Sequence, residues 1–366
     1  MKNQKTTMTT KGISKKYNLC NFCSMRLESK KTKNVIEKCF ICKDIFQKIN
    51  DIVSKILIQT SSYEFSNFET GVIIKPSFID RDDQIKSQFQ IKGVNSIKSS
   101  LNNEIAKKLA RKTNTKIRHR NSDLTVKINL KDDSYSISSK PIFVYGRYIK
   151  RTRTLAQKQR NCNKCSGKGC HSCNFHGLDN FNSVEGRITE FLINKFNCQQ
   201  IKINWIGGEE KSSLVLGNGR PFFVKIINPK KRKTILRRKN ILDGVELLEL
   251  RKIIEPPSGQ ISFKSKVLIL IKTEKHLKST TLKNLEESAM PLGIYINGKK
   301  NALKLIYKIN FKRVSPNLLK INMYADGGLP IKLFIKSTRV SPNLTNLLKT
   351  NCECIQFDFK KIDVMS

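Results

Sequence analysis

Acidic side chains are scarce in this sequence: 29 Asp and Glu stand against 70 Lys and Arg, a formal net charge of +41 spread from end to end. A field of that sign and size favours a polyanionic partner, with RNA or DNA ahead of an anionic membrane surface. A composition rich in Lys, Asn and Ile accounts for Lys over Arg, but not for the shortage of acids. Long apolar runs are also missing. The longest, Val267 to Ile271, falls far short of a membrane span. The N-terminal M-K-N-Q-K-T-T-M-T-T-K lacks the apolar core of a signal peptide. The sequence therefore predicts a cytoplasmic protein with no membrane association that opens on a basic tail (1–16). Without a secretory signal, its 11 cysteines point to metal sites or reduced thiols rather than disulfides. No Gly-rich nucleotide or methyl-donor loop follows a strand, and Asn228-Pro229-Lys230 lacks the aromatic of a methyltransferase tetrad.

Most of those cysteines are paired. Cys20-x-x-Cys23 and Cys39-x-x-Cys42 have the spacing of a four-thiolate zinc site closed by two knuckles. Cys162-x-x-Cys165 and Cys170-x-x-Cys173 form a second such set, with Gly167 and Gly169 supplying the φ > 0 turns that so short a loop needs. His171 and His176 are left over, since four thiolates already complete a closed structural site. Cys198, Cys352 and Cys354 have no metal spacing and read as core or neutral surface thiols.

Apolar periodicity marks the elements between. A helix is expected after Cys42, on Ile45, Phe46, Ile49, Ile52, Val53 and Ile56. Strand 68–74, a helix on Ile97, Leu101, Ile105 and Leu109, and an alternating strand on Leu124, Val126, Ile128 and Leu130 make a small α+β module. The basic tract 116–120 offers it a phosphate-contacting edge. Further on, helices are expected at 184–196, 245–253 and 279–289, and strands at 266–272, 303–312, 318–323, 331–336 and 354–362. So many strands with few helices predict a mixed or antiparallel sheet flanked by helices. The hexapeptide Arg-Val-Ser-Pro-Asn-Leu occurs at 313–318 and again at 339–344, and reads as a repeated turn.

One stretch, W-I-G-G-E-E-K-S-S-L-V-L-G-N-G-R-P-F from Trp205 to Phe222, holds adjacent carboxylates between a Gly-Gly step and an Asn-Gly turn. On pattern alone it is an ordinary hairpin with two solvated glutamates. It is equally a place to present a carboxylate on a rigid scaffold.

Taken together, these pieces resemble the archaeal-type tRNA pseudouridine synthases of the tenth pseudouridine synthase family. The resemblance rests on the paired N-terminal Cys-x-x-Cys, P-I-F-V-Y-G-R-Y at 141–148, L-G-N-G-R-P-F at 216–222, Ile227-Asn228-Pro229-Lys230, and G-G-L-P-I-K at 327–332. It implies an α+β fold with an N-terminal zinc-knuckle segment (17–58) and a THUMP-like RNA-binding module (59–148). A linker with the second four-cysteine knuckle (149–180) and a mixed-sheet catalytic domain (181–366) would follow. It further implies an isomerase acting on T-loop uridines 54 and 55 of tRNA, working as a monomer with structural Zn²⁺ at one or both cysteine sets and no organic cofactor. Alignment through L-G-N-G-R-P-F sets Glu210 on the family's nucleophilic Asp, with Arg220 placed to pair with it. Tyr307 falls on a tyrosine that touches the uracil, and Pro330 on a second tyrosine of the substrate site. Glu for Asp and Pro for Tyr also suit a tRNA-binding or RNA-folding protein of the same fold with impaired catalysis.

Overall fold

Apolar stripes at three-to-four spacing fold as helices, while alternating runs form strands. The computed structural model describes residues 13–29, 38–288, 290–297 and 302–365. Most of the basic tail and of the run between the first two cysteine pairs lies outside these residues. The chain divides into two units, Met1–Lys140 and Pro141–Ser366.

The first unit begins with α1 (Ile13–Lys16), α2 (Asn21–Glu28) and α3 (Ile49–Thr60). It continues with β1 (Asn67–Ile73), α4 (Pro76–Gln88), α5 (Ile97–Thr113), β2 (Lys116–Ile117), β3 (Leu124–Asn129) and β4 (Ser134–Ser139). The four strands run in the order β2-β1-β3-β4, parallel around β1 and antiparallel between β3 and β4. α5 starts where the Ser96 hydroxyl accepts from the Ser99 N–H at 3.1 Å. It stops at Asn114, a left-handed residue with φ 52°. Ile97, Leu101, Ile105 and Leu109, all fully buried, form the stripe that docks it on the sheet. The helix expected from Ile45 begins only at Ile49. Lys43 and Asp44 take φ of 46° and 69°, and the Asp44 carboxylate accepts from the Cys39 N–H at 3.0 Å. The cysteine knuckle claims these residues before a helix can.

The second unit starts with β5 (Ile142–Lys150), α6 (Val184–Phe196), β6 (Gln200–Trp205), β7 (Val215–Ile227), β8 (Lys239–Leu242), β9 (Val245–Ile253) and β10 (Phe263–Thr273). There follow α7 (Ser279–Glu286), β11 (Leu292–Ile296), β12 (Ala302–Ser315), β13 (Leu318–Asp326), α8 (Ile331–Lys336), β14 (Val340–Ser341), α9 (Leu344–Leu348) and β15 (Cys352–Val364). An 11-stranded mixed sheet runs β14-β11-β12-β13-β10-β15-β7-β5-β9-β8, with β6 also paired to β7. α6 packs fully buried Val184, Ile188, Leu192 and Phe196 into its core. The α+β class is as expected, and no helix among the described residues is long and apolar enough to cross a membrane.

Several local expectations change. Residues 141–148 belong to the second unit as β5, because their backbone bonds β7 on one side and β9 on the other. Residues 245–253 are a strand despite their Leu- and Glu-rich, helix-favouring composition, since β5 and β8 take up the backbone groups. Residues 331–336 are a helix, following Pro330, with Ile331, Phe334 and Ile335 buried at helical spacing. The repeated hexapeptide takes two conformations: a hairpin turn between β12 and β13, and the lead from β14 into α9.

The expected Asn-Gly turn is no turn either. Gly217, Asn218 and Gly219 lie inside β7. Gly217 has φ +60°, and a Cβ there would sit 1.9 Å from the Lys360 carbonyl oxygen. Both the backbone angle and the space demand glycine. Gly217→Ala is expected to lower unfolding free energy by roughly 2–4 kcal/mol in urea denaturation. A wild-type midpoint would contradict this account of β7.

Candidate active site

β6 and β7 are antiparallel neighbours from Trp205↔Phe222 to Gln200↔Ile227. The loop 206–214 that joins them carries both glutamates. On the other flank of β7, β5 sets Tyr148 opposite Arg220, and neither residue has exposed surface. That cross-strand pair faces the loop.

Glu209 points inward, and its side chain has no exposed surface. Its carboxylate accepts from the Tyr148 hydroxyl at 2.6 and 2.7 Å and from Arg220 Nε at 2.7 Å. Lys150 Nζ, also buried, is 3.9 Å away. An ionised carboxylate is tolerable in such a place only with this degree of pairing. The same groups hold the loop backbone. Arg220 donates to the Ile206 carbonyl at 2.9 Å and the Gly208 carbonyl at 3.1 Å, while Phe359 lies 4.5 Å beneath its guanidinium. Lys150 donates to the carbonyls of Leu155, Glu210 and Lys211 at 2.9, 3.0 and 3.4 Å. Gln157 donates to the Tyr148 hydroxyl at 2.9 Å and the Gly207 carbonyl at 3.3 Å. Burial, reinforced by the Glu209 charge, raises the Tyr148 phenol well above its usual range. Burial also lowers the Lys150 ammonium, against the pull of Glu209.

Glu210 points the other way. Its side chain is 39% exposed, and Oε2 meets Lys332 Nζ at 2.6 Å. This hydrogen bond raises the Lys332 pKa. Lys332 sits in the first turn of α8, directly after Ile331, and Pro330 is the residue at which that helix starts. Arg220, expected beside Glu210, is instead the partner of Glu209. Tyr307 is half-buried on β12, with its hydroxyl on Asp326 Oδ1 at 2.9 Å and Lys264 Nζ 3.7 Å from its ring centre. Among the described residues no hydrogen bond or ion pair joins Glu210, Arg220 and Tyr307.

Beside the loop lies a cleft of about 810 Å³. It is bordered by Ile206 and Gly207 of the loop, Trp205, Phe263, Lys158 and Asp326. Phe263 is wedged between glycines: a Cβ on Gly207 or Gly327 would come within 2.5 Å of its ring. The cleft thus offers an aromatic face, cations and a carboxylate next to the acidic loop. Sequence reasoning missed Phe263, Lys332 and the buried set of Tyr148, Lys150 and Gln157, and it gave Glu209, one of the two adjacent carboxylates, no buried role. Only the Gly207-Gly208 and Gly327-Gly328 doublets signalled that something bulky approaches the backbone there.

Both cysteine sets assemble. The sulfurs of Cys20, Cys23, Cys39 and Cys42 lie within 4.8 Å of one another, as do those of Cys162, Cys165, Cys170 and Cys173. Four thiolates about 2.3 Å from a tetrahedral zinc stand about 3.8 Å apart. The observed Cys165–Cys173 and Cys170–Cys173 separations are both 3.8 Å. Gly169 N–H points at Cys165 Sγ and Gly177 N–H at Cys173 Sγ, at 3.2 and 3.4 Å. Such donors favour thiolate over thiol. Both sets therefore fit a metal ion. His171 and His176 stand outside the set, against Phe175 and Phe181.

Residues 143–290 match the family described as Pus10, C-terminal, and 52–129 the Pus10 THUMP domain, archaeal. The chain is 36% identical to the tRNA pseudouridine synthase Pus10 of Nitrosopumilus maritimus (strain SCM1), over 99% of both chains. It belongs to the Pus10 family. The Pus10 relative from Cenarchaeum symbiosum (strain A) is 31% identical over 89% of this chain and 81% of its own. That from Archaeoglobus fulgidus is 25% identical over 88% and 94%. The THUMP match lies within the first unit, and the Pus10 C-terminal match holds the acidic loop and the Trp205 and Phe263 side of the cleft.

The two neighbouring glutamates are predicted to part company in stability measurements. Glu209→Ala leaves Arg220 buried without its counter-ion and should cost about 3–5 kcal/mol. Glu210→Ala breaks a solvent-accessible pair and should cost less than about 1 kcal/mol. Urea denaturation of both variants checks this, and equal losses would contradict the division.

Proposed function

We propose that this chain is a tRNA pseudouridine synthase, an isomerase that acts on uridines 54 and 55 of the T loop with Glu210 as nucleophile. The observation that carries the reading is the split between the carboxylates. Glu209 is consumed by the scaffold, whereas Glu210 stands at the surface on a loop whose backbone is pinned from below. Lys332 Nζ holds the Glu210 carboxylate from α8 at 2.6 Å. The loop's fixed backbone limits the wandering that would otherwise cost rate.

The reaction needs no organic cofactor. The N1–C1′ bond of the uridine breaks, the uracil turns, and C5 bonds to C1′ as the C5 proton leaves and N1 gains one. Glu210 supplies the carboxylate that holds the sugar through the exchange. The target base must leave its stack to be reached. Phe263, held in place by Gly207 and Gly327, offers it a ring face in the adjoining cleft. Arg220 acts from below by fixing the loop. Tyr307 is proposed to act on the uracil from the Asp326 border of the cleft, and Pro330 to set the approach of Lys332. The THUMP unit adds RNA-binding surface, the chain works as a monomer in the cytoplasm, and both cysteine sets hold structural Zn²⁺. Those ions brace the knuckles and take no part in the chemistry.

Pseudouridine mapping of an unmodified tRNA transcript tests the reading. Wild type should convert the T-loop uridines, and Glu210→Ala should give no product. Glu210→Asp withdraws the carboxylate by about one methylene and should lose on the order of a hundredfold in rate. Lys332→Met should also slow turnover. An inactive wild type that gains activity as Glu210→Asp would favour an impaired tRNA-binding protein of the same fold. Product from Glu210→Ala would remove Glu210 from the mechanism. Elemental analysis should find about two zinc ions per chain. Cys165→Ser should reduce this to about one, and a wild type free of zinc would refute the metal assignment.

A further inference from the structure

Phe22 and Met25 on α2 are 46% and 44% exposed. Isolated exposed apolar side chains need no explanation, and Ile254 at 94% is barer still. Phe22 differs in its setting. Its ring lies parallel to that of buried Phe46, with centroids 5.1 Å apart and planes 8° from parallel. Two clefts of about 360 and 280 Å³ open beside this stack, both bordered by Phe22, Phe46, Glu104 and Lys107. Lys108 and Arg111, from the same face of α5, complete the rim of the larger one. The rim thus sets three cations against one carboxylate, and Glu104 is already engaged by Lys107 at 3.2 Å. All of these residues belong to the first unit. The cysteine knuckle fixes both rings, since α2 starts at Cys20 and Phe46 follows Cys42 closely.

We propose that this is a stacking site for an unpaired RNA base. Phe22 is the platform, Phe46 its backing, and Lys107, Lys108 and Arg111 contact the flanking phosphates. Every base has a π face, so such a platform takes any unpaired base. A paired base in a duplex keeps its faces covered and gains nothing here. A ring already held against a buried partner loses little freedom when a base settles on it. A nucleotide fills both parts at once, its base on the planar ring and its phosphates on the cationic rim. The site serves the RNA substrate proposed above, but binding here needs no chemistry at Glu210.

The test uses the full chain and a short single-stranded RNA carrying 2-aminopurine, beside a blunt duplex of equal length. Wild type should quench the 2-aminopurine and bind the single strand. Phe22→Ala should weaken that binding by about tenfold, and Phe22→Trp should hold it within about twofold. Neither change should alter duplex binding. Unchanged metal content and circular dichroism show that the Phe22 variants fold. The double variant Lys108→Gln, Arg111→Gln should lower the salt slope on the single strand by about 1.4 while the quench persists. Undiminished single-strand binding by Phe22→Ala would overturn the proposal, as would equal losses on single strand and duplex. Pseudouridine is scored separately. A wild type that stacks the base but forms no pseudouridine refutes the proposed function and leaves this site standing, and the converse refutes this site alone.

Discussion

The buried carboxylate of Glu209 is the constraint on which the second unit's site depends. Taking a charge out of water is costly unless hydrogen bonds and counter-charges surround it. Here Tyr148, Arg220 and Lys150 do so from two adjacent strands, and each then reaches past the carboxylate or anchors beside it. The remaining donors of Arg220, and two of the contacts of Lys150, go to loop carbonyls, so satisfying the charge also fixes the loop. β15 contributes by placing Phe359 beneath the guanidinium. The centre of the large sheet, β5-β7-β15, is therefore organised around a side chain that solvent never meets.

This arrangement gives neighbouring residues of one type opposite duties. Residue 209 is structural because it faces the sheet; residue 210, one step on, faces solvent and Lys332. The basic residues divide in the same way. Arg147 and Lys150 are buried. Arg147 donates to the carbonyls of Asn218 and Gly219 at 2.6 and 3.0 Å. Most of the other cations stay outside and sustain the +41 field.

The second cysteine knuckle belongs to this organisation as well. The irregular segment that leads into Cys162 carries Gln157 to the Gly207 carbonyl and Lys158 to the cleft. Gln200 at the start of β6 donates back to the Gly167 carbonyl at 2.9 Å. A closed loop of cysteines thus anchors a segment that also touches the acidic loop. In the first unit the other knuckle performs a comparable task for Phe22 and Phe46.

Sequence by itself determined the features set by local spacing and composition. Cys-x-x-Cys pairs find one another because their loops are short, α5 and α6 follow an unbroken apolar stripe, and the surplus of Lys and Arg sets the field. The family run around Gly217 to Phe222 located the acidic loop. Tertiary structure alone decided the rest. Residues 245–253 and 331–336 exchanged their expected states because strand neighbours and a docking face outweighed local propensity. Arg220 went to Glu209 rather than Glu210 because the β5–β7 register places it beneath the loop. Phe263 and Lys332 reached the site from strands and helices far along the chain, and no local pattern records such a meeting. Which of two adjacent carboxylates is buried depends on which direction the loop turns, and only the packed sheet sets that direction.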